Sequence, residues 1–217
     1  MTRILCTLIS SITLAAILGP LYGCASSGLP SAKNYDLVKS GSRAIVLLRF
    51  TCEIDGKPHE VFSRGPILAD NMYLALGNFE TGGSLIQVAQ AEPIFPSPEA
   101  RKEGWIYLLL KPGPHYLAVR PFGSRYLETA PLWRFDVPSE TCIVYAGTLH
   151  MPSVRETHLL IPTGFSPYWD RVVVRNEEDD ARKIAEKYFP ELQEVKTVLM
   201  QSHVGPLIIR KAPSTSK

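Results

Sequence analysis

From Ala44 to Leu149 the chain alternates short runs of β-branched, aromatic and aliphatic residues with Gly, Pro and Asp-Gly punctuation, and this rhythm limits what it can fold into. Such residues suit the pleated, half-buried surface of a sheet. Ala44 to Ile54 (AIVLLRFTCEI) reads as a first strand. Asp55-Gly56 is a hairpin-turn dipeptide, because both residue types tolerate positive φ, and Lys57 to Ser63 can return as a second strand. Tyr73–Leu76 and Leu85–Ala89 are short strand candidates, with Gly65-Pro66 and Gly82-Gly83 as punctuation. Ala91 to Lys102 holds three prolines and reads as an exposed loop. Trp105 to Leu110 (WIYLLL) is a strand, Lys111-Pro112-Gly113-Pro114 a tight turn, and His115 to Arg120 its hairpin partner. Leu132 to Val137 alternates, with Trp133, Phe135 and Val137 on one face and Arg134 and Asp136 on the other; Cys142 to Leu149 is a further strand. Many short strands joined by turn chemistry predict a mainly β, antiparallel β-sandwich over residues 41–165.

The rest of the chain differs in kind. Residues 166–212 read as a small C-terminal α+β extension, ordered strand, helix, strand, strand. Its helix runs from Glu177 to Phe189 behind an Asn176 cap, with acids at 177–180 near the positive helix end and Pro190 as the stop. Ala181, Ile184, Ala185 and Tyr188 share its apolar face. Val195–Met200 and Leu207–Ile209 are the two strands that follow. Within the body, Leu110-Lys111-Pro112-Gly113-Pro114-His115-Tyr116 and Tyr145-Ala146-Gly147 give residues 105–149 a layout that resembles small sandwiches of the prealbumin or carboxypeptidase-regulatory type, one shared by several uncharacterised envelope lipoproteins.

At the N-terminus, Arg3 precedes the apolar run ILCTLISSITLAAILGP, and Leu21-Tyr22-Gly23-Cys24 closes it. A basic start, an apolar stretch and a small residue before a cut site are the parts of a secretory leader. With cysteine next, the segment resembles a bacterial lipoprotein signal, although Tyr22 stands where that family usually has a small residue. The resemblance implies that residues 1–23 are removed, that Cys24 carries the lipid, and that residues 24–40 form a tether. Ala25-Ser26, with no Asp after the cysteine, implies the outer membrane, facing the periplasm. An uncleaved span and an ordinary leader with a chance cysteine are the competing readings; the segment is long enough for the first.

Cys6 falls in the leader. Cys52 and Cys142 remain, and in an oxidising compartment they are either a disulfide or two separate buried thiols. Neither has a partner at zinc-ligand spacing, so no metal or cofactor is expected. Basic and acidic residues nearly balance, 23 against 21, with no basic run, which argues against nucleic acid. No nucleophile elbow, phosphate loop or dinucleotide fingerprint occurs. His59-Glu60 starts like a zinc-protease motif, but Ser63 replaces the second histidine. The chain is therefore expected to be a non-enzymatic envelope lipoprotein, held to the membrane through Cys24 and contacting another envelope protein. Tyr168 and Trp169 are the candidate partner residues, with plugging of the joint to the C-terminal unit as their other reading. The alternatives are a hydrolase around Asp136, His150 and His158, or a small-ligand carrier using the sandwich interior.

Overall fold

A computed structural model describes residues 28–62, 72–79, 85–91, 94–121, 132–140, 142–158, 161–192 and 194–203. The leader, Leu21 to Cys24 and the Leu207–Ile209 strand lie outside the described residues. Among those described, the strands form two sheets, and the fold is mainly β, as expected; three helices stand where one was expected, and the first sheet is not wholly antiparallel.

The first sheet is built on β1 (Ala44–Ile54) and β8 (Ile143–His158), which pair in parallel. β1 is flanked on its other side by β5 (Trp105–Leu110) and β2 (Lys57–His59), both antiparallel to it. β8 carries β9 (Ile161–Pro167), β10 (Val173–Arg175) and β11 (Val195–Thr197) in succession along its length. The second sheet is antiparallel and runs β12 (Gln201–His203), β7 (Leu132–Val137), β6 (Gly113–Pro121), β3 (Met72–Phe79), β4 (Leu85–Ala91).

The parallel centre follows from composition. Ala44 to Leu48 are all buried, and a strand covered on both faces reads as a continuous apolar run rather than an alternation. One face of β1 (Val46, Leu48, Phe50, Cys52) meets Leu117, Trp133, Phe135 and Val137 of the second sheet. The other (Ile45, Leu47), with Trp105, Tyr107 and Tyr145, meets the helices. These are α1 (Ala32–Lys39), α2 (Pro98–Lys102) and α3 (Glu178–Tyr188), which contribute Val38, Ala100, Ala181, Ile184 and Ala185, with Phe189 just beyond α3. The molecule is layered helix, sheet, sheet.

Several expectations are corrected. The Asp55-Gly56 turn forms with both residues at positive φ, 53° and 71°, but its returning strand stops at His59. β5 and β6 are not a hairpin. β5 pairs with β1, and the chain crosses to the other sheet at Lys111-Pro112, where His115 Nε2 holds the Lys111 carbonyl at 2.7 Å and the ring stacks on Phe135. The supposed loop 91–102 contains α2, capped by Ser97 Oγ, and buried Phe95. Residues 24–40, read as a tether, include α1, capped by Ser31 with Val38 fully buried, so from Gly28 onward this segment is docked on the body. In the 166–212 segment, α3 lies on the first sheet, β10 and β11 extend that sheet, and β12 extends the second. Its helix starts at Glu178, so Glu177 rather than Asn176 holds the N-cap position, without a side-chain capping bond.

Candidate functional site

The register of β1 against β8 slips by one residue between Leu47↔Tyr145 and Arg49↔Thr148. The extra residue is accommodated at Gly147, whose φ is 113°. A bulge of this kind turns the following side chains to the opposite face. Here it sends Leu149 and Met151 into the space between the sheets and brings Thr148 and His150 to the helix side, opposite Arg49 and Thr51. In β1 the residues on that side change from Ile45 and Leu47 to Arg49, Thr51 and Glu53. The helices cover the apolar half of this face, and the polar half continues beyond them.

Where the halves meet, the start of α3 is pinned. Arg49 Nη1 donates to Glu177 Oε2 at 2.9 Å and lies 3.6 Å from Asp180 Oδ2, and Arg49 Nε donates to the Glu103 carbonyl. Its guanidinium stacks over Trp105, 5.3 Å from the ring centre. Thr148 Oγ1 donates to the same Glu177 oxygen at 2.8 Å, and the Tyr145 hydroxyl sits 2.8 Å from Thr148 Oγ1 while accepting from the Glu177 backbone N–H. Burial raises the Tyr145 pKa, so the phenol stays protonated and can donate to Thr148. Every member of this network has a partner, as a mostly buried charge requires.

Beyond it, Thr51 Oγ1 lies 3.0 Å from His150 Nδ1, and Glu53 Oε1 lies 3.8 Å from His150 Nε2. Burial, then the nearby Arg175 charge, lowers the His150 pKa. The neutral ring can therefore accept the Thr51 hydroxyl proton at Nδ1 and turn Nε2–H toward Glu53. Three apolar side chains are exposed beside this line: Val173, paired with His150 across the ladder, is 47% exposed, Val154 38% and Tyr168 42%. The Arg171 guanidinium covers one side of the Tyr168 ring.

The sequence-derived candidates separate. Cys24 lies outside the described residues. Cys52 and Cys142 are both free. Cys52 pairs at the level of Met151, nine positions along β8 from Cys142, which at about 3.3 Å per residue is roughly 30 Å, far beyond disulfide reach. Burial raises the Cys52 thiol pKa, and its Sγ faces Ser153 Oγ at 3.3 Å. Tyr168 is exposed, whereas Trp169 packs against the core between the sheets. Asp136, His150 and His158 do not converge. Asp136 is on β7 of the other sheet beside Arg134, and His158 is eight positions along β8 from His150. The Thr51–His150–Glu53 line was missed, although R-F-T-C-E in β1 shows the polar alternation that produces it. No group of three or more His, Cys, Asp or Glu side chains among the described residues could hold a metal ion. No helix among them is long and apolar enough to cross a membrane.

No family model and no curated protein matches the chain. A crystal structure of a DUF3823 family protein from Parabacteroides merdae ATCC 43184 is similar over 58% of this chain, with 11% identity and a TM-score of 0.28. The match covers 47% of that protein, about half its length.

Proposed function

We propose that the protein is a lipid-anchored, non-enzymatic module of the bacterial envelope, held to the outer membrane through Cys24 and facing the periplasm. The observation that carries this reading is the sequence Leu21-Tyr22-Gly23-Cys24 at the end of an apolar leader. The exposed side chains of Val173, Val154 and Tyr168 support contact with another envelope protein, since apolar groups rimmed by polar ones mark such surfaces. A carrier reading gains little, because Phe50, Trp133, Phe135 and Leu117 fill the described space between the sheets. Anchoring is tested by intact mass and detergent partitioning of the native protein and Cys24→Ala. Acyl chains on the native protein alone are expected, and an acylated Cys24→Ala protein overturns the reading. Partner contact is tested with a photocrosslinker at Tyr168, whose adduct should disappear in Val173→Arg.

Hydrolysis is the second reading, and the Thr51–His150–Glu53 line favours it: a hydroxyl, a neutral imidazole and a carboxylate stand in the order of nucleophile, base and orienter. Covalent labelling of Thr51 by a fluorophosphonate, lost in His150→Gln, is the result that would establish it.

A further inference from the structure

The described chain is already docked four residues after Cys24. The Gly28 N–H donates to the Phe95 carbonyl at 3.0 Å, and the Gly28 carbonyl accepts the Tyr107 hydroxyl at 2.8 Å. Burial pushes the Tyr107 phenol up to about 12, so it remains a donor throughout the physiological range. Pro30 is buried and α1 starts at Ala32. Whatever conformation residues 25–27 adopt, four residue steps span at most about 14 Å. The headgroup layer of one leaflet takes roughly 5–8 Å of that. A compact chain of this size has a radius of gyration of about 16 Å, and so is roughly 40 Å across. The link is too short for the body to turn freely above the membrane.

The position of Gly28 then decides which side faces the lipid. Ile94 bridges Tyr107 on the outer side of β5, and Gly28 bonds to Phe95 beyond it. Gly28 thus lies outside the β5 edge of the first sheet, and β1, β8 and β10 follow in order across it. At about 4.8 Å per spacing, β10 is roughly 24 Å away on the opposite edge. Leu29, beside Gly28, is 54% exposed and offers an apolar side chain at the point of attachment.

We infer that the β5 edge, with Leu29 and the first turn of α1, rests on the bilayer surface, and that the β10 edge with Tyr168 and Val173 points away from it. This rests on acylation of Cys24. The test uses the full-length acylated protein in phosphatidylethanolamine–phosphatidylglycerol vesicles, in a Cys142→Ser background. A fluorophore is placed at Lys33→Cys or at Asp170→Cys, and headgroup-nitroxide lipids are the quencher. Quenching several-fold stronger at position 33 than at 170 is expected, and a flexible Gly/Ser insert between Ser26 and Ser27 should bring the two together. Equal or inverted quenching at native spacing, or a difference that survives the insert, overturns the orientation while leaving the anchor intact. Protein without acyl chains overturns both.

Discussion

At Gly147 an added Cβ would stand 2.6 Å from Val174 Cγ1, on a backbone whose φ of 113° L-residues seldom adopt. Alanine there must either strain or remove the bulge, and removing it would turn Thr148 and His150 into the apolar space between the sheets. Strain of this kind costs on the order of 1–3 kcal/mol before the clash is counted. Gly147→Ala is expected to lower stability by about 2 kcal/mol or more, read as a shifted urea midpoint at unchanged slope. Two histidines act at the same scale. His115 and His150 both have lowered pKa values, each first through burial. A lowered histidine pKa means that the unfolded chain takes up protons the folded chain resists. Stability is then full above the unfolded value of 6.5 and falls as pH drops below it, by at most about 1.4 kcal/mol per pH unit for each histidine. Chemical denaturation from pH 7.5 to 5 should show this decline, and His115→Gln with His150→Gln should flatten it.

Among the elements, α3 shows what joins sequence pattern to placement. Its acidic first turn and apolar face were legible, since Ala181, Ile184 and Ala185 recur at helical spacing. What it docks on was not, because Arg49 looks like any polar residue in an apolar strand until Glu177 arrives opposite it. Removing either partner leaves the other mostly buried without its main contact. Arg49→Met and Glu177→Gln should each cost about 2 kcal/mol, with a coupling of about 1–2 kcal/mol in the double-mutant cycle. Independent effects would show that Thr148 and Asp180 alone hold the helix start. β7 was legible to its ends, because one buried face gives clean alternation. The β5–β6 connection was not, because Pro112-Gly113 serves a change of sheet as well as a hairpin. α1 was missed because AKNYDLVK buries one residue deeply and carries no apolar stripe. The bulge in CIVYAGTLH was hidden for a related reason: with both faces of β8 covered, its sequence has no alternation for an inserted residue to break.

For the whole molecule, the question is whether the body stands without the C-terminal quarter of the chain. Ala181, Ile184, Ala185, Phe189, Leu192 and Val195 share one buried cluster with Ile45, Leu47, Trp105, Tyr107 and Tyr145. Burying a large apolar side chain contributes about 1.5–3 kcal/mol. Losing the cluster's C-terminal members therefore forfeits on the order of 10 kcal/mol, comparable to the entire stability of an ordinary domain. The truncation would also strip β10 and β11 from β8 and β12 from β7, leaving ladder groups unpaired at both sheets. A chain ending at Phe165 is expected to lack a cooperative thermal transition, and full-length protein to unfold in one step with calorimetric and van't Hoff enthalpies equal. A truncated body that melts cooperatively near the full-length temperature would show that the helix layer is an addition to a self-sufficient sandwich. The shared cluster argues the reverse, since Ile45, Leu47 and Tyr145 occupy the centre of the first sheet and would keep only α1 and α2 as cover without α3.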